Sequence, residues 1–540
     1  MKKQIANVFL FVGIFTLLSS VLCVDVAGIP AGEVAYQQLW IGRLSVVFVV
    51  CAAAALLLTG KGRRLCFSGC VSWSLIVLGG IEAVWGLMQV YGLLVSQHSL
   101  FALTGSVYNP GPYAGYLALV FPLCLHQWLR LRRLPQRAWY HSVGLYLSLL
   151  VLLLIIGVLP AGMSRTAWMA VVVSGLWVYG VHASWGARLN RLWRERRRQL
   201  LFCGILSFAC LLLVGVALFQ FKAGSANGRL FMWKISSQSI AERPFTGYGE
   251  GHFVVAYGDA QERYFAAGHY TPTEERVAGS PEYAFNEYLQ LAVEWGVPAL
   301  LLSLCIIGVF LFIGIRSGRT DVAGGLIAFL VFAFASYPLR VPGLALAFCF
   351  LVLACGLSSS RTMLGLVIIF VCVLGLCCWH RSDHEACRSW ADVERLYAVG
   401  AYQPAAEEYA KLYPQLKDRG LFLFEYGRCL NKLGDYNRST EILQEAEAYS
   451  CDPMILNVIG QNYQALGRYP QAEACLIRST HRLPGRIYPY YLLAKLYANP
   501  TYYHPEKLKQ MVRLVLAKEP KVQSTAIREM REEVKRLERL

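Results

Sequence analysis

The sequence predicts an all-α protein in two parts: a polytopic membrane helix bundle of about 11 spans, then a C-terminal α-solenoid. Three observations carry this. The 540 residues are 56% hydrophobic with a mean hydropathy of +0.43, which is too apolar for a water-soluble chain of this length. Long apolar runs fill residues 5 to 379 and stop there. Beyond them a Gly-x-Tyr pattern returns at Gly400, Gly434 and Gly467, spacings of 34 and 33 residues. The expected domains are therefore 1–379, with a large polar loop at 220–283, and 380–540.

The spans are read in order. A crossing helix needs about 20 apolar residues. Candidates are 5–24, 41–59, 70–94, 112–129, 142–160, 166–184, 200–219, 297–315, 322–337, 342–357 and 362–379. Met1-Lys2-Lys3 ahead of the first run reads as a signal anchor, since a small-residue cleavage site is poorly formed.

Charge sets the sidedness. The net charge is +17, but it is gathered in short loops between apolar runs, which is a topology signal and argues against nucleic acid. Placing Lys2 and Lys3 inside puts loops 60–65, 130–138, 186–199, 316–320 and 358–361 inside, where most loop Lys and Arg lie. Connections 25–40 and 95–111 fall outside and hold none. Residues 220–283 and 380–540 then face the periplasm of an inner-membrane protein. Most of the 17 cysteines lie in apolar runs as small hydrophobes, and no CxxC or Cys/His spacing points to zinc. No metal or cofactor is expected.

Cations on the outer side break the pattern and single themselves out: Arg165, Arg340, and in the loop Lys222, Arg229, Lys234, Arg243, Arg263 and Arg276. A cationic loop outside the membrane calls for an anionic ligand. Arginine's planar fork suits phosphate oxygens. Residues 229–241 alternate bulky apolar and polar side chains, as an interfacial helix or one packed on the bundle would.

Three patches together resemble the O-antigen ligase and polymerase superfamily over roughly residues 40–360. The first is Thr104-Gly105-Ser106-Val107-Tyr108-Asn109-Pro110. The second is Ser164-Arg165-Thr166-Ala167-Trp168. The third runs from Gly228-Arg229-Leu230 through Pro244-Phe245-Thr246-Gly247-Tyr248-Gly249 to Phe285-Asn286-Glu287-Tyr288 and Gly296. The resemblance implies a metal-independent membrane glycosyltransferase moving a glycan from a polyprenyl-diphosphate carrier to an acceptor at the periplasmic face. It implies Arg165, Arg229, Lys234, Arg340, Asn109 and Asn286 as substrate-binding residues. The family's usual base is a histidine before the Asn, but Phe285 stands there. Glu282, Glu287, His252 and His269 are the substitutes, with Glu282 ranked first because it lies near the headgroup level, where partial desolvation would favour proton uptake.

The repeat segment resembles tetratricopeptide repeats, with Ala405, Ser439 and Ala472 at one offset after each turn. Such solenoids hold a partner segment in a concave face, which raises a protein partner or protein acceptor beside a lipid A core acceptor. A polysaccharide polymerase and a non-catalytic scaffold are the competing readings. A transporter is disfavoured because no partnered charge stands deep in a span.

Overall fold

The computed structural model describes residues 2–25, 30–59, 65–135, 138–188, 190–199, 201–202, 223–357, 361–380 and 383–537. Every expected span except 200–219 falls on a helix; apart from residues 201–202, that one lies outside the described residues. The helices are α1 Lys2–Leu18, α2 Pro30–Leu58, α3 Phe67–Val90, α4 Pro110–Leu131, α5 Trp139–Val158 and α6 Arg165–His182. After the loop helices α7 Ala223–Glu242, α8 Phe253–Ala266 and α9 Pro272–Val277 come α10 Glu287–Arg316, α11 Thr320–Ala333, α12 Pro342–Gly356 and α13 Arg361–His380. Among the described residues, six stretches are long and apolar enough to cross a membrane: Lys2–Leu22, Gly32–Leu58, Phe67–Val90, Trp139–Gly162, Glu287–Arg316 and Thr362–Ala398. The helices α11 and α12 are apolar but shorter.

The described chain forms two compact units. The first takes Met1–Ala209, Phe285–Tyr288 and Leu301–Arg388. At its centre α4 packs against α5, α6 and α11, while α1 and α13 pack on α2. Small residues let these helices approach: Gly42 on α2 lies against the Trp379 backbone, and Gly115 on α4 lies under the Phe332 ring. The connection expected at 25–40 is helical from Pro30 onward, and its buried Glu33 carboxylate accepts a hydrogen bond from the Tyr108 backbone N–H.

The second unit takes Cys210–Ala284, Leu289–Leu300 and Ser389–Leu540. The large loop thus folds with the C-terminal helices, a grouping that the single cut at 379/380 does not draw. The C-terminal helices are α14 His384–Ala398, α15 Tyr402–Leu416, α16 Gly420–Leu433, α17 Tyr436–Ala446, α18 Pro453–Ala465, α19 Tyr469–Arg482, α20 Tyr488–Tyr497, α21 Pro505–Ala517 and α22 Thr525–Leu537. From α16 to α21 each packs on the next. Gly400, Gly434 and Gly467 all adopt left-handed φ (+81°, +83° and +74°) in turns between helices, each two residues before the next helix starts at a Tyr. Only glycine takes this conformation readily, so it ends a helix there.

Two contacts fix the loop on this helical array. Arg482, 4% exposed, donates to Glu262 at 2.9 Å, and Arg478 reaches the same carboxylate at 2.9 Å. Lys518 pairs with Glu275 at 2.5 Å. Residues 229–241 pack within the loop: Phe231 and Ile235 are buried in a cluster with Phe253, Ala256 and Tyr257 of α8, which is compatible with an interfacial position.

Candidate functional site

The first motif is a turn pinned by polar side chains of α3. Gln89 Oε1 accepts from the N–H groups of Thr104 and Gly105 at 2.9 and 2.7 Å. Glu82 accepts from the Ser106 N–H at 3.2 Å and from its hydroxyl. Glu82 is 1% exposed within a span, which corrects the expectation that no partnered charge stands there; the partner is a hydroxyl and a backbone amide rather than an opposite charge. Its signal was present as the lone carboxylate in Gly79-Gly80-Ile81-Glu82-Ala83-Val84. Asn109 then caps α4, its side chain accepting from the Gly111 N–H at 3.0 Å.

The second motif touches the first. Gly162, in the turn leading to Arg165, lies against Ala114 and the Pro110 carbonyl. Ser164 caps α6, and half-buried Arg165 opens that helix. Val21 joins the same end of the first unit, meeting both the Ser106 hydroxyl and Gly343.

The third motif brings a carboxylate and a cation-bearing turn together. Phe285 has φ +48°, a strained backbone for a side chain of this size, and its ring stands edge-on to Tyr337 at 5.1 Å. Asn286 caps the next helix by accepting from the Tyr288 N–H at 3.0 Å. Glu287 is 8% exposed, and its carboxylate accepts from the Leu339 N–H at 2.7 Å. Half-buried Arg340 follows directly. The structure thus gathers Asn286, Glu287 and Arg340, and sets Asn109 and Arg165 on touching turns of the same unit.

In the second unit the spacing from Asn286 to Gly296 has a backbone cause. Gly296, at φ +82°, breaks α10 into Glu287–Trp295 and Val297–Arg316. A Cβ there would strike the Phe245 carbonyl, and one on Gly247 would strike the Glu294 carbonyl. Three backbone bonds join the segments: Tyr248 N–H to Val293, Gly249 N–H to Glu294 and Val297 N–H to Pro244, at 2.9, 2.8 and 2.7 Å. Gln290 continues the buried polar line, accepting from the Ala284 N–H and donating to Glu294.

The other loop candidates are placed differently. Glu282, His252 and His269 are all exposed, so the desolvation that ranked Glu282 first is missing. His252 meets the Glu250 carbonyl at 2.9 Å. Lys234 pairs with Glu274 at 2.6 Å and donates to Tyr264. Partial burial pushes the Glu274 carboxyl up, but hydrogen bonds from Lys234 and Thr271 outweigh it and hold it at about 2. Arg229 is half-buried on α7.

Residues 149–304 match a family model described as O-Antigen ligase. The chain carries an O-antigen ligase domain. That family is one of membrane glycosyltransferases. No curated protein matches the chain. The ligase domain takes in Arg165, Arg229, Asn286, Glu287 and the whole Gly247–Gly296 junction, while Asn109 and Arg340 come from flanking sequence.

Proposed function

We propose that this protein transfers a glycan from a polyprenyl-diphosphate carrier to an acceptor hydroxyl at the periplasmic face of the inner membrane. The observation that carries the reading is the buried Glu287 carboxylate in the ligase domain, bonded to the turn that ends at Arg340. In this reading the acceptor oxygen attacks the anomeric carbon and Glu287 takes its proton. The bond from that carbon to the carrier oxygen breaks, and the diphosphate leaves with the electron pair. Arg165 and Arg340 meet its growing charge; Arg229 is a further candidate on the strength of its motif. Glu287 replaces Glu282 as the favoured base because it is held out of water.

Topology rests on the basic bias of loops 60–65, 130–138 and 186–199. The C-terminal segment reads as tetratricopeptide repeats from its 34- and 33-residue spacings and its three left-handed glycines. Because helices of this segment fold with the loop of the ligase domain, a protein Ser or Thr acceptor stands beside the lipid A core and the growing glycan. The deciding experiment reconstitutes the full chain with a polyprenyl-diphosphate glycan and each acceptor class in turn. Transfer to one class is expected; transfer to none of them would overturn the reading.

A further inference from the structure

The first unit has a second polar region, where the basic loops expected on the inner side emerge. A cavity of about 650 Å³ lies among α1, α3, α4, α5 and the start of α11. Its lining is mixed in chemistry: Phe11, Trp73 and Leu147 are apolar, and Gln127, Arg130, Arg319 and Asp321 are polar. The rim includes Val143, which is 56% exposed on a helix apolar enough to span a membrane. The cavity therefore opens toward acyl chains.

The polar lining is built. Arg319 Nη1 donates to the carbonyls of Ala354, Cys355 and Leu357 at 2.9, 2.9 and 2.6 Å, which fixes its guanidinium at the end of α12. Arg130 stands exposed at the end of α4. Gln127, 1% exposed, donates through Nε2 to the Asp321 carboxylate at 3.1 Å. A carboxylate only accepts, so this bond fixes the amide's orientation. Among the described residues the buried Gln127 Oε1 is then left with no hydrogen-bond donor, and an unmet buried acceptor is costly. Among the described lining residues, two arginines against one aspartate leave one positive charge over.

We propose that this cavity holds one anionic phospholipid with a hydroxylated headgroup, of which phosphatidylglycerol is the simplest. Its phosphate lies against Arg130 and Arg319, a headgroup hydroxyl donates to Gln127 Oε1, and an acyl chain runs along Phe11, Trp73 and Leu147. Basic pockets between spans suit such headgroups. A zwitterionic lipid leaves the surplus charge unmet, and a lipid without a headgroup hydroxyl leaves the Gln127 oxygen unmet. This site is independent of the glycan-transfer reading.

The test is native mass spectrometry of the full chain in detergent with equimolar phosphatidylglycerol, phosphatidylethanolamine, phosphatidic acid and polyprenyl phosphate. One phosphatidylglycerol should be retained at least about threefold over each competitor, and Arg130→Gln should cut its retention about fivefold. Gln127→Leu should erase the preference over phosphatidic acid while retaining the latter. Arg132→Gln, at the same helix end but outside the cavity lining, should change retention less than about twofold. Equal retention of phosphatidylethanolamine, preference for polyprenyl phosphate, or an Arg132→Gln loss matching that of Arg130→Gln would each overturn the proposal. Because Arg130 is exposed, its variant keeps the test open if Gln127→Leu fails to fold.

Discussion

Glu287 and Leu339 are joined by a 2.7 Å hydrogen bond across 52 residues of sequence, carboxylate to backbone amide. The bond sets a buried acid beside the turn that presents Arg340. In that position a carboxylate is oriented by the chain itself rather than by a flexible partner.

If Glu287 is the base, Glu287→Gln should lower glycan transfer by about 10²- to 10⁴-fold at normal protein level. Glu282→Gln, on an exposed side chain, should leave it within about threefold of wild type, since exposed surface changes are mostly mild. An in vivo transfer assay with a lipid-linked donor compares them. The reverse order would restore Glu282 to first place.

Arg165→Ala, Arg229→Ala and Arg340→Ala should each cost about 2–4 kcal/mol of transition-state stabilisation, by analogy with loss of one oxyanion donor. Arginine-to-lysine variants should recover only part of the rate, because a point charge cannot reproduce the fork. Single-turnover transfer rates on purified protein report this. Wild-type rates in the alanine variants would remove the diphosphate-binding role.

Gly296→Ala and Gly268→Ala make a matched pair. Both residues have left-handed φ, +82° and +75°, but a Cβ at 268 meets nothing within 4 Å, while one at 296 strikes the Phe245 carbonyl. Gly268→Ala should cost about 1 kcal/mol. Gly296→Ala should cost clearly more and lower the melting temperature further, with transfer lost alongside. Equal melting shifts would show that the junction yields.

Glu262 gives a pH test. Burial pushes its carboxyl up, but the hydrogen bonds from Arg478 and Arg482 outweigh it and bring it below the ordinary 4.5. A folded value below the unfolded one means stability that is complete above about pH 4.5 and is lost as pH falls through the folded value. Nearby Asp259 works the other way: burial raises its carboxyl despite Arg482, so its ionisation weakens the fold at neutral pH. Glu262→Gln should cost about 2–3 kcal/mol at pH 7, with the gap to wild type narrowing as pH falls through the folded value. Urea unfolding of the full chain over a series of falling pH values measures it; a gap that does not change with pH would assign the loss to packing.

Much of this was legible from residue order. Apolar runs placed the described spans, and Gly400, Gly434 and Gly467 declared their turns through backbone chemistry alone, while the helices at 253–266 and 272–277 were not foreseen. Gly296 was visible as a spacing, though its cause, the Phe245 carbonyl, lies 51 residues away. Burial was not legible. Glu282 and Glu287 look alike in sequence, and only the fold shows one in solvent and the other under Leu339. Lys234 likewise looked available until Glu274, 40 residues on, was seen to hold it.

The Glu262–Arg482 pair also constrains how the chain threads a membrane. The two residues belong to stretches on either side of the four helices Glu287–Arg316, Thr320–Ala333, Pro342–Gly356 and Arg361–His380. They meet at 2.9 Å, a distance that no hydrocarbon layer of about 30 Å can separate. A thread that leaves a plane and comes back to the same face has pierced it an even number of times. The crossings between these stretches are therefore even in number, whatever the total for the chain and whichever way it is inserted. An insertion or deletion of one crossing there would part the two residues to opposite compartments and leave Arg482 without its carboxylate.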